Sequence, residues 1–138
     1  HIVLNIDDSI LLENQSFVSS SIFRFNNSNA TGNAGDIAIN ARSLSVLDGT
    51  LISSVTSGQG NAGKIVINAS DRVLLESGDS RTAQISSAVF PESSGQGGDI
   101  RITTGSLLMN GNVVFLAGTF SQQKSGEIWV QARDRVVL

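Results

Sequence analysis

Apolar and polar residues alternate along the chain with a period of two, as in Ile37 and Ile39, then Leu44 and Val46, then Ile52 beyond an Asp48-Gly49 turn. A period of two marks strands with one buried face, whereas a helix would show 3.6. Three short strands per unit are predicted, and the unit recurs. The string glycine, charged residue, Ile, any residue, Ile or Val stands as GDIAI at Gly35, GKIVI at Gly63, GDIRI at Gly98 and GEIWV at Gly126. The chain opens on HIVL, the same element without its glycine.

Measured at the charged position, the intervals are 35 from His1 to Asp36, 28 to Lys64, 35 to Asp99 and 28 to Glu127. Long and short units alternate, so residues 63 apart match better than residues one unit apart. ASDRVLL at Ala69 matches ARDRVVL at Ala132, and Asp8 with Asp71, Leu12 with Leu75, Glu13 with Glu76 and Ile22 with Ile85 follow the same shift. The pairwise likeness points to duplication of repeats in pairs.

A strand triplet that returns to the same sequence can bury its apolar faces only against the next triplet, which is the logic of a β-solenoid. The predicted fold is all-β, a right-handed parallel β-helix of about four coils of 28 or 35 residues in a single segment, 1–138. The coils are expected at about 1–35, 36–63, 64–98 and 99–126, with a partial coil over 127–138. Stacking predicts inward ladders: Ile2, Ile37, Ile65, Ile100, Ile128; Leu4, Ile39, Ile67, Ile102, Val130; Ile10, Leu44, Val73, Leu107, Val136; and Leu12, Val46, Leu75, Met109, Leu138. A third strand is expected to be anchored by Ile22, Ile52, Ile85 and Val114. The extra residues of the long coils are expected as surface loops, such as 77–84 and 91–97.

Composition sharpens this picture. With 40% hydrophobic and 15% charged residues the chain can pack a core, and 14 glycines with one proline suit many tight turns. The net charge of -3, with nine Lys and Arg scattered singly, argues against nucleic acid and anionic membrane surfaces as partners. Without cysteine there is neither a disulfide framework nor a thiolate site. No signal-peptide pattern or transmembrane run stands in the sequence, so the chain reads as a fragment lacking its targeting segment.

The stretch GNAGDIAINARSLSVLDGTLISSVTSGQGNAGKIVINA resembles the repeats of filamentous haemagglutinin-like exoproteins, above all the cyanobacterial ones, over almost the whole chain. The resemblance implies two-partner secretion through a dedicated outer-membrane barrel and an extracellular or cell-surface location. It also implies a fibrous β-helix. The family's secretion domain carries an Asn-Pro-Asn-Gly type motif, absent here, where Pro91 is the only proline, so this stretch resembles repeat shaft.

Candidate chemistry is thin. GQGNAG at Gly58 to Gly63 fits a G-x-G-x-x-G string and, with Lys64, approaches a phosphate loop, but Ile65 stands where Ser or Thr would be needed. Both motifs need a following helix, and KIVINA reads as strand, so a glycine turn between coils is expected. His1 is the single histidine, so triads and histidine metal sites lack parts. Carboxylates remain, because a β-helix can gather acids on one face for glycan cleavage. The outward columns read His1, Asp36, Lys64, Asp99, Glu127; then Val3, Ala38, Val66, Arg101, Trp129; then Asn5, Asn40, Asn68, Thr103, Gln131. Asp99 and Glu127 stack as like charges and either cost stability or attract a cation; a solvated face is expected, with no metal site. Trp129 beside Arg101 suits either a sugar platform or a surface cation–π pair, and the third column a polar ladder. The mixed columns do not suit ice binding, and the sequons around Asn14, Asn29 and Asn68 fit chance in a chain rich in Asn and Ser.

These readings converge on a non-enzymatic structural or adhesive shaft, with no catalytic residue, cofactor or metal assigned and the binding residues left open. The alternative is a carbohydrate-binding or carbohydrate-cleaving β-helix. Expected partners are further coils of the same protein or a second copy head to tail, the secretion barrel that the resemblance implies, and surface or matrix carbohydrate.

Overall fold

The structure, a computed structural model, describes residues 1–26 and 30–138, and every regular element among the described residues is a β-strand. The first coil holds β1 (Ile2–Asn5), β2 (Ser9–Leu12) and β3 (Phe17–Ser19). The second holds β4 (Ile37–Leu47) and β5 (Leu51–Ser53), the third β6 (Ile65–Ser77) and β7 (Ala83–Val89). The fourth holds β8 (Ile100–Gly111) and β9 (Val113–Thr119), and β10 (Ile128–Val137) begins the next. Two parallel sheets result, β1-β4-β6-β8-β10 with β2 beside β4, and β3-β5-β7-β9. The chain is a parallel β-helix of about four coils.

From the second coil onward the predicted first and second strands are one long strand. The strand bends at a register shift instead of breaking, between Ala41 and Ser43 against Ala69 and Arg72, and again at Ala132 and Arg135. Each long coil carries one extra residue at this bend, a β-bulge that turns the sheet while the ladder continues on both sides.

Before the bend the register is the predicted one: Ile2 on Ile37, Ile37 on Ile65, Ile65 on Ile100 and Ile128 on Ile100. Ile67 lies between Ile39 and Ile102, all three with no exposed surface. After the bend Ile10, Leu44, Val73, Leu107 and Val136 also pair as expected. Leu12, Val46, Leu75 and Met109 do the same, whereas Leu138 lies beyond the last strand and is exposed.

The third ladder differs from expectation. It is Val18, Ile52, Ile85 and Phe115; Ile22 stands instead on Thr56, itself bridged to Val89, while Val114 pairs with Gln84 and is 42% exposed. The two long coils reach equal length in different ways. The first needs nine positions from Ile22 to Thr31 where the second needs three from Thr56 to Gln59, and the third needs ten from Leu75 to Ile85 where the first needs six from Leu12 to Val18. The 63-residue match therefore loses register beyond Glu13. The sequence signal that follows the structure is FVSSSI, LISSVT and QISSAV.

The loops are shorter than expected for the same reason. Ser77 ends β6 and Ala83 and Gln84 open β7, so only residues 78–82 protrude. Of residues 91–97, Ser93 is buried, Ser94 bridges to Gln59 and the Gln96 N–H donates to Asn61 Oδ1, which leaves Pro91 and Glu92 as the exposed tip.

Those serines build a polar seam opposite the isoleucines. The buried Ser54 hydroxyl donates to the Gly35 carbonyl at 2.8 Å and accepts the Gly63 N–H at 3.0 Å; Ser87 donates to the Gly63 carbonyl at 2.5 Å. A Cβ on Gly63 would stand 2.5 Å from Ser54 Oγ and from the Gly35 carbonyl oxygen. Gly35, Gly63 and Gly98 thus mark where the serine seam meets the chain, while Gly126 packs on the Gly98 carbonyl and the fourth coil has Ala117 in place of the serine.

Candidate functional site

GQGNAG forms the corner between coils, as expected. Gly60 sits at φ 148°, with its absent Cβ directed at the Gly32 carbonyl, and the chain continues into β6, not a helix. Asn61 accepts the Gln96 N–H and donates its own N–H to Asn33 Oδ1. Phosphate-binding geometry is not formed there, because the segment after the glycines is a strand whose N–H groups enter the ladder.

The charged column is a device for holding coils together. Asp36 Oδ1 accepts the Lys64 N–H at 2.7 Å, and Asp99 Oδ1 accepts the Glu127 N–H at 3.1 Å. Lys64 Nζ stands 4.0 Å from Asp99 Oδ2, and His1 Nδ1 stands 3.7 Å from Asp36 Oδ2. The Asp99 carboxylate therefore has a backbone donor from one neighbouring coil and an ammonium from the other, which offsets its proximity to Glu127. Among the described residues no three His, Cys, Asp or Glu side chains gather in metal-binding distance.

The second column pairs as expected, with Trp129 beside Arg101 and Arg101 beside Val66. Trp129 is 46% exposed. Of the sequon residues, Asn14 lies in an exposed turn at φ 58° and Asn68 within β6, while Asn29 falls outside the described residues.

The polar ladder is formed. Asn40 Nδ2 donates to Asn5 Oδ1 at 2.7 Å and Asn68 Nδ2 to Asn40 Oδ1 at 2.8 Å; Thr103 and Gln131 continue the column. It forms one wall of a groove that runs along the helix axis beside the bend. A stretch of about 500 Å³ crosses from Asn40 to Gln131, and a neighbouring stretch of about 340 Å³ continues to Asn5 and Asp7; both share Asn40, Ala41 and Ser70. The facing wall is the bulged corner. There Arg42 pairs with Asp8, and Arg133 lies 3.5 Å from Asp134 and donates to the Ser70 carbonyl two coils away.

Sequence reasoning missed this groove because its second wall depends on the bulge, which no residue type announces. It also missed the phenylalanines. Phe17, Phe23, Phe25, Phe90 and Phe120 are exposed, and the register places Phe23, Phe90 and Phe120 at one corner of the first, third and fourth coils, where the second coil has Ser57. Their signal was position relative to the double serine, which the third ladder as first assigned obscured.

Comparison of the chain with family models, with curated proteins and with solved structures finds no match.

Proposed function

We propose that this chain is a shaft segment of a large secreted or surface-displayed β-helical protein, without catalysis of its own, that holds an adhesive surface at a fixed spacing. The observation that supports this reading most is how the charged side chains are used. Asp8 pairs with Arg42, Asp36 and Asp99 hold the next coil's N–H, and Arg133 spans two coils, so charge is spread along the columns as axial ties. An acid–base pair for glycan cleavage needs two carboxyl groups facing one bond from opposite sides. The exposed phenylalanines suit adhesion, because Phe90 and Phe120 take neighbouring positions on the third and fourth coils and exposed apolar surface marks sites of association.

The resemblance noted above adds the expectation of export through an outer-membrane barrel and display outside the cell. Antibodies against the segment should label intact source cells, and external protease should remove the label. Labelling that requires permeabilised cells would overturn the location, and release of reducing ends from a polysaccharide panel by the purified chain would overturn the non-catalytic role.

A further inference from the structure

The groove beside the bend has three properties that together select a class of ligand. It runs along the helix axis; its amide wall repeats once per coil and its bulged wall once every second coil, and stacked strands are about 4.8 Å apart. An extended peptide advances roughly 3.3 Å per residue and falls out of step with such columns. A chain of β-1,4-linked pyranoses advances by close to one coil per sugar, each sugar turned over relative to the last, so it keeps step in rise while the edge it presents alternates along the groove.

Hydrogen-bonding capacity is left over on one wall. An amide side chain carries two N–H donors and two acceptor lone pairs. The ladder uses one N–H each of Asn40 and Asn68 and one lone pair each of Asn5 and Asn40. Donors and acceptors therefore remain on the exposed Asn5 and Asn68 and the half-buried Asn40, suited to hydroxyl groups that both give and accept. The arginines of the other wall are matched, Arg42 with Asp8 and Arg133 with Asp134, and Asp7 at the groove's end adds a negative charge, which favours an uncharged ligand over a polyanion. Between the walls the exposed Ile6 and the half-buried Ala41 offer apolar surface of the kind on which the C–H faces of sugars lie.

We propose that the groove between the Asn5, Asn40, Asn68, Thr103, Gln131 column and the bulged corner binds a linear, neutral β-1,4-linked glycan along the helix axis, one sugar per coil. This assignment stands apart from the shaft reading: a shaft can lack it, and a binding groove can sit on a protein of another role.

The test is amide NMR of the 138-residue chain titrated with cellohexaose, xylohexaose and chitohexaose, each beside its own disaccharide, with maltohexaose as the curved control. At least one β-linked hexamer should shift Asn40, Asn68, Thr103 and Gln131, with affinity roughly tenfold or more above its own disaccharide as further coils engage. Asn40→Ala with Asn68→Ala should lose roughly tenfold in affinity. Ser70→Trp, at an exposed position in the groove, should block binding while the melting temperature holds, so a folding defect in the double variant does not leave the question open. No shift with any β-linked hexamer, equal affinity for disaccharide and hexamer, equal binding of maltohexaose, or shifts confined to other columns would overturn the proposal.

Discussion

The two sheets are built on the same coils yet hold together differently. The long sheet buries ladders of identical or near-identical aliphatic residues, Ile37, Ile65 and Ile100 beside Ile39, Ile67 and Ile102, all without exposed surface. The short sheet buries Ile52 and Ile85 but alternates them with Ser54 and Ser87, whose hydroxyls bind the glycines of the facing corner. Aliphatic stacking is tolerant in direction and gains from area; the serine seam gains little from area and depends on geometry. The aliphatic sheet therefore carries more of the stability, and the seam fixes how the coil closes.

The strongest way to break the comparison is a charge in the aliphatic ladder. Ile67→Asp buries an unpaired carboxylate and should cost about 4 kcal/mol or more, enough to unfold the stack in a thermal melt. A folded, cooperative Ile67→Asp protein would mean the ladder is not the core. On the seam, Gly63→Ala forces a methyl against Ser54 Oγ and the Gly35 carbonyl and should cost ~1–3 kcal/mol by overpacking. Since one of those neighbours is backbone, adding Ser54→Ala should restore only part of the loss. A full rescue would show that the side chain alone sets the closure.

Ser54→Ala by itself leaves the Gly63 N–H and the Gly35 carbonyl without their buried partner and should cost about 1–3 kcal/mol in urea unfolding, without exposing new surface. A changed denaturant slope would instead indicate that the coil opens. Ser80→Asp, in the exposed turn between β6 and β7, should stay within about 0.5 kcal/mol of the parent melt and serves as the baseline for the series. A large loss there would assign the loop a structural role in the third coil.

The sheets also differ in how far they were legible. Each coil of the long sheet begins with the same string, so a period-two pattern anchored at Gly35, Gly63 and Gly98 predicts the partners of all four ladders but for Leu138, which lies beyond the last strand. The short sheet follows insertions that the two long coils place differently, before Thr31 in one and before Ile85 in the other. Equal length made them look equivalent, and the 63-residue shift then aligned Ile22 with Ile85 where the structure aligns Val18.

For the candidate site the division is similar. The asparagine column could be read from Asn5, Asn40 and Asn68 at coil spacing, as could the neighbourhood of Asp99 and Glu127. The use of Asp99 could not, since its carboxylate accepts a backbone N–H of the next coil, a contact set by the height of the stack.

The sequence by itself determined that the chain coils in parallel strands, which residues fill the long sheet and where the corners fall, because periodic burial and glycine turns are local and repeat. Only the tertiary structure decided the register of the short sheet, the serine seam and the groove. Each of these arises where residues distant in the chain meet across a bulge or a corner, and the length of an insertion does not say on which side of a strand the chain takes it up.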